Sequence, residues 1–269
     1  MRSVVLSLLL SFCLFSILMN GQEERTTPRQ TATPMPDGGV RETLDSIVVT
    51  PMPNAPFSLA LQTEWVRVLS DGGTATLVNE RRIARDSKGR IFEERCGLVA
   101  KDFKDKSIVT AIQIADPINH TLYTCMMDGR HVCDLTEYTD TARVVQEVRP
   151  KETRTLTLPN SAGAVSTDDL GEGTIEGVSV VGTRVRTAYN PGHFSGNDNV
   201  MTVEREFWYA PQLGINLLSK INNPLFGTQT FTATNLVRSQ PDAKLFALPD
   251  GFRVVDQRSP KPPTVRRPE

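Results

Sequence analysis

The residues that could carry chemistry in this chain are few. There are three histidines, His120, His131 and His193. None has the spacing that places two imidazoles on one helix face to hold a metal. Ser195 and Asp198 lie close to His193 in the stretch HFSGND. Members of a nucleophilic triad converge from different elements, and the Gly-x-Ser-x-Gly elbow is absent, so this stretch reads as a loop built of turn residues. The carboxylates Glu93, Glu94, Glu204 and Glu206 fall on extended segments next to Arg81, Arg82, Arg95 and Arg205. Cross-strand ion pairing is the simpler reading of that pattern than a pair of glycosidase carboxylates. No phosphate loop or dinucleotide fingerprint occurs. These readings give no catalytic residue, no metal set and no cofactor; an enzyme is the less favoured class, with a hydrolase centred on His193 as the remote alternative.

Beyond the leader's Cys13, the cysteines are Cys96, Cys125 and Cys133, an odd number. Cys125 and Cys133 flank the turn Asp128-Gly129-Arg130. A three-residue loop pairs Met127 with His131, Cys125 with Cys133, and Tyr123 with Leu135; a two-residue loop shifts that register. In the first case the cysteines stand opposite each other across a hairpin, within reach of a disulfide. His131 shares their face, so a soft metal is the competing reading, and a structural bridge needs fewer assumptions. Trp65, Phe207, Trp208, Tyr209 and Phe231 are the large apolar anchors, candidates for core packing or for contact with a hydrophobic ligand.

The elements that must position these groups are strands. In 57–69, Phe57, Leu59, Leu61, Trp65 and Leu69 share one parity, and Ser58, Gln62 and Glu64 the other, the period of a half-buried strand. Asp71-Gly72-Gly73 and Asp86-Ser87-Lys88-Gly89 are turn sequences on either side of an extended 74–85. Further extended runs follow at 90–99, 108–114, 122–127, 131–135, 170–187, 200–210, 215–221, 228–237 and 251–255. Glycines at 171, 173, 177 and 182 suggest bulges or sharp curvature. The expectation is a mostly β fold: one large antiparallel, strongly curved sheet, half-barrel or barrel-like, of about ten or eleven strands with little helix. Residues 139–167 have little periodicity and read as a long internal loop, with a short amphipathic helix near 141–148 as an option.

The chain opens with Arg2, an apolar run from Val4 to Met19, then Asn20-Gly21. That is the layout of a secretory signal peptide over 1–21, and the run is short for a bilayer span. Segment 22–56 is rich in Pro, Thr and charge and reads as a disordered tether; 257–269 reads as a disordered tail. The β domain is expected over 57–256. With 30 Lys+Arg against 31 Asp+Glu, the chain lacks the basic surplus of a nucleic-acid binder. An exported, disulfide-permissive compartment, periplasmic or extracellular, is the expected address.

Several segments carry a resemblance: 84–90 (ARDSKGR), 114–117 (IADP), 174–184 (TIEGV through GTR), 206–213 (EFWYAPQL), and Pro241-Asp242 with Leu245-Phe246 and Pro249. Together they resemble uncharacterised exported bacterial proteins of an Acidobacteria type, which implies a bacterial, exported setting and no reaction. The strand alternation, with its Ile-x-Gly-Val strand, is also similar to the lipoprotein-carrier superfamily, whose incomplete β-barrel encloses an apolar hollow. That resemblance implies a non-enzymatic protein holding a lipid-like ligand or an envelope partner on a curved sheet. The alternative is an envelope structural or protein-interaction module whose sheet is packed.

Overall fold

Alternating burial sets the first strand, β1 (Phe57–Val68): Phe57, Leu59, Leu61, Thr63 and Trp65 are buried, while their neighbours are not. The computed structural model describes residues 47–139, 154–194 and 196–258. All of these belong to one unit, Glu42–Glu269. The readings of 1–21 as a leader, 22–46 as a tether, 141–148 as a helix, Ser195, and 259–269 as a tail lie outside the described residues.

After β1 the chain continues as β2 (Thr74–Arg85), β3 (Ile91–Cys96), β4 (Val99–Ala100), β5 (Val109–Asp116), β6 (Thr121–Met126) and β7 (Val132–Glu137). Then come β8 (Arg154–Thr157), β9 (Gly163–Ile175), β10 (Val178–Tyr189), β11 (Met201–Ala210), β12 (Ile215–Asn223), β13 (Gly227–Val237) and β14 (Arg253–Asp256). They form one curved sheet in the order β14-β7-β6-β5-β3-β2-β1-β13-β12-β11-β10-β9-β8, with β4 pairing β2 off that path. Short turns make most neighbours antiparallel. The sheet is not closed into a barrel.

Four expectations are corrected. The strand number is fourteen rather than ten or eleven, because the two-residue β4 and four-residue β8 carry little pattern of their own and the run read over 170–187 is divided between β9 and β10. The sheet is mixed: β14 runs parallel to β7, with Val254 beside Cys133. Residues 238–252 first cross the outer face, where Phe246 packs with Phe92 and Ile114, so the chain re-enters the sheet in the direction of β7. The internal loop read over 139–167 holds β8, a 3-10 turn at Pro159–Ser161 and the start of β9. β8 is exposed throughout and the start of β9 is mostly half-buried, so neither shows an apolar alternation to read. Finally, the ordered region begins before residue 57: Ile47 and Val49 are buried in the main core.

The main core lies on the face carrying the odd residues of β1. It joins Leu59, Leu61 and Ile83 to Ile215, Leu217, Phe231 and Ala233 across the β1–β13 junction. The turn at 86–89 forms as the sequence implies. Asp86, buried, accepts from the amides of Lys88 and Arg90 at 2.9 and 2.8 Å and from Arg90 Nε at 2.8 Å. Gly89 takes φ 83°, in a region that glycine adopts freely, and its backbone lies against that of Met52.

Candidate functional site

One end of the concave face is closed by a buried arginine. Arg85 is 0% exposed. Its guanidinium donates to Thr50 O at 2.8 Å, to Ala55 O at 3.1 and 2.8 Å, and to Leu213 O at 2.6 Å. It also lies 4.9 Å from the centre of the Phe57 ring. Burial pulls its pKa down to about 10, so it remains a cation at neutral pH. The segment 50–55 is thereby bound across the end of the sheet, reinforced by Asn54 N donating to Ser87 O at 2.9 Å. The β9–β10 turn reaches the same end, where Leu236 N donates to Glu176 Oε2 at 3.1 Å.

Further along the concave face, register aligns a row. Asn79 stands opposite Thr63, Thr63 opposite Phe231, Phe231 opposite Ser219, Ser219 opposite Phe207, and Phe207 opposite Thr183. Side chains directly opposite across strands share a face. The row therefore alternates aromatic rings with hydroxyls on five neighbouring strands, with the Asn79 amide added on a sixth. Three of its members hold buried polar atoms with no hydrogen-bond partner: Thr63 Oγ1, Asn79 Oδ1 and Thr183 Oγ1. These residues are 2, 4 and 2% exposed. Buried polar groups are nearly always paired, so such atoms mark a surface not matched to itself.

The five aromatic candidates separate in the fold. Phe231 and Phe207 lie in this row. Trp65 shares its face two residues on, opposite Gln229, and its indole N–H donates to Phe226 O at 2.6 Å. Trp208 stands opposite Gly182 and Leu218, with its N–H on Glu206 Oε1 at 2.9 Å. Its six-membered ring covers Gly173 and Gly182, where an added Cβ would meet ring carbons at 3.0 and 2.9 Å. Those glycines make room for an indole, a role that the sequence offers as curvature. Tyr209 follows a bulge in the β11–β12 pairing, and its hydroxyl lies close to Gly214 at the closed end.

The carboxylates take part in ion pairs. Glu94 accepts from Arg82 N and Nε at 2.9 and 2.8 Å, Glu206 from Arg184 at 2.8 Å, and Glu204 from Arg186 at 2.7 Å; Arg186 also bonds Asp168. Burial pushes the Glu93 carboxyl up, against the opposing pull of Arg95 and Arg81. Burial pushes the Glu206 carboxyl up too, but the Arg184 and Trp208 donors outweigh it and hold the group below the usual range. His193 is exposed in the 190–199 turn, its amide on Asn190 O at 3.2 Å. Among the described residues no three His, Cys, Asp or Glu side chains gather as a metal set.

Cys125 and Cys133 are directly opposite each other and joined by a disulfide, in the register that a three-residue loop gives, with Tyr123 opposite Leu135. Cys96 is a free thiol, pushed up to about 11 by burial and the nearby Glu94 carboxylate. Its carbonyl accepts from Asn79 Nδ2 at 2.9 Å. A cleft of about 340 Å³ over β13, β1 and β2 is lined by Gln62, Thr63, Glu64, Asn79, Glu80 and Lys101 among others. Another of about 470 Å³ lies beside Pro211 and Gln212, with Glu172 and Ser179.

No family model matches the chain. No curated protein matches it. Among solved structures it is similar to an uncharacterised conserved protein from Thermus thermophilus, at 9% identity over 76% of this chain and 91% of that one, with a TM-score of 0.38. It is similar to the MucA/MucB complex of Pseudomonas aeruginosa, at 16% identity over 74% of this chain and 58% of that one, TM-score 0.36. It is also similar to the lipoprotein LppX of Mycobacterium tuberculosis, at 10% identity over 70% and 89% of the two chains, TM-score 0.25. The likeness is one of sheet architecture alone.

Proposed function

We propose that this chain is an exported, non-enzymatic binding protein that holds a hydrophobic ligand on the concave face of its sheet. The observation that carries the reading is the row from Asn79 to Thr183, in which Phe231 and Phe207 alternate with hydroxyl side chains. Ligand sites are mostly apolar with a few placed polar groups, and this row has that composition. The Cys125–Cys133 bridge supports an oxidising compartment, in keeping with the leader-like N-terminus. Protein purified without denaturant from its own host is expected to carry an apolar adduct in native mass spectrometry, released on solvent extraction. Ligand-free protein that also fails to take up the neutral apolar probe N-phenyl-1-naphthylamine would overturn the reading.

A second reading, contact with an envelope protein, is supported by a different feature. Val68, Val200 and Leu225 are large apolar residues, 76, 59 and 50% exposed, on or beside turns at the Trp65 end. In-cell cross-linking from these turns to a single recurring partner is the expected outcome under it, and cross-linking that captures nothing would count against it.

A further inference from the structure

We infer that the ligand is a neutral amphiphile whose head donates a hydrogen bond, a hydroxyl or amide N–H, and that Asn79 and Thr63 receive it. The inference rests on the reading of the concave face as a ligand site.

Asn79 and Thr63 are directly opposite each other on β2 and β1, so their side chains point to the same face about 5 Å apart. The orientation of the Asn79 amide follows from its neighbour. Cys96 O is a carbonyl and accepts only, so Nδ2 must face it, as it does at 2.9 Å. Oδ1 is left as a buried acceptor with no donor. Thr63 Oγ1, equally buried and unpartnered, both donates and accepts. One hydroxyl placed between them gives its proton to Asn79 Oδ1 and accepts that of Thr63. A carboxylate or phosphate cannot satisfy Oδ1, because two acceptors repel. A head capped as an ether cannot do so either.

The apolar body is provided for on both sides of this pair. Phe231 is next to Thr63 across β1–β13, and Leu61 and Trp65 flank Thr63 on the same face of β1. Thr183 supplies another unpartnered hydroxyl at the far end of the row. Arg81 lies two residues from Asn79 on the same strand face, but Glu93 stands near enough to act on it electrostatically, so the positive charge there is already opposed.

The test uses the full chain and three probes that share one alkyl body: 1-octanol, octyl methyl ether and, at pH 8, octanoate. Each is titrated against bound N-phenyl-1-naphthylamine. Octanol is expected to displace the dye at about tenfold lower concentration than the ether or octanoate, the discrimination of one buried hydrogen bond. Thr63→Val, which keeps the side-chain shape, and Asn79→Leu are expected to bring octanol to within about twofold of the ether. Thr63→Ser should keep the preference. Equal displacement by all three probes, tighter binding of octanoate, or an octanol preference that survives Thr63→Val and Asn79→Leu would overturn the inference while leaving ligand binding intact. A dye that never binds overturns the ligand reading itself. The ranking on the unaltered chain decides the question even where a variant does not fold.

Discussion

Arg85 directs four hydrogen bonds at the carbonyls of Thr50, Ala55 and Leu213, and no carboxylate is among these partners. A buried cation is tolerated here because carbonyl dipoles and the Phe57 ring surround it. Truncation leaves three carbonyls without donors in an apolar setting, each costing about 1–3 kcal/mol. Arg85→Ala is therefore expected to lower unfolding stability by at least about 3 kcal/mol. Arg85→Lys should fall between, since one ammonium cannot span carbonyls arranged for a planar fork. Urea denaturation measures both. An alanine variant within about 1 kcal/mol of the parent would refute the clamp. Cys96 illustrates the opposite situation at the same scale. With its thiol pushed up to about 11, it carries almost no thiolate at neutral pH and is chemically quiet.

At the scale of elements, the β9–β10–β11 layer depends on what glycine leaves out. Trp208 occupies the space that side chains at positions 173 and 182 would fill. Gly182→Val would put its Cβ 2.9 Å from the indole and from Leu170 Cβ. The ring must then move and give up its hydrogen bond to Glu206, which also bonds Arg184. The expected result is a loss of about 1–3 kcal/mol and a red-shifted tryptophan emission, with the β6–β7 disulfide hairpin unaffected. An unchanged spectrum would mean that Trp208 does not lie on the glycine floor. The sequence exposes one half of this arrangement. Glycines in a β-rich run signal something unusual about the strand, but the reason sits on Trp208, about thirty residues away on another strand. The β6–β7 hairpin was legible as one of two registers, because its cysteine spacing and alternation are local; the structure adopts the register that places Cys125 opposite Cys133.

At the scale of the whole molecule, the segment before β1 is part of the fold. Ile47 and Val49 are buried, Thr50 and Ala55 supply carbonyls to Arg85, and Met52 lies against Gly89 and Gly214. A chain beginning at Phe57 is expected to lose several kcal/mol and bind hydrophobic dyes non-specifically, whereas one beginning at Glu42 should unfold like the full chain. Equal midpoints for the two would show the segment to be dispensable. Its sequence, PMPNAP, has the composition of a linker, and nothing local distinguishes it from one. What recruits it is Arg85, whose burial is invisible in a run of charged residues where arginines at 81 and 82 are not fully buried. The strand frame, by contrast, could be read from β1 alone, since five alternate buried positions fix its face. The unpartnered oxygens of Thr63 and Asn79 could not be read, because they follow from the register between strands.

The junction of β1 with β13 also orders events in time. Thr234 Oγ1 bonds Ala60 O across 174 residues of chain, while most other pairings join strands near in sequence. As the polypeptide is made, the β1–β7 meander can form early, but one edge of β1 stays open until residues 228–237 emerge. Joining ends so far apart carries a large closure entropy and slows folding. During that interval Leu59 and Leu61 lack Phe231 and Ala233, and the bare edge is a template for association with other copies. Productive folding of this chain is thus governed by how long that edge waits, and anything that shields it from other chains before β13 arrives will raise the yield of native protein.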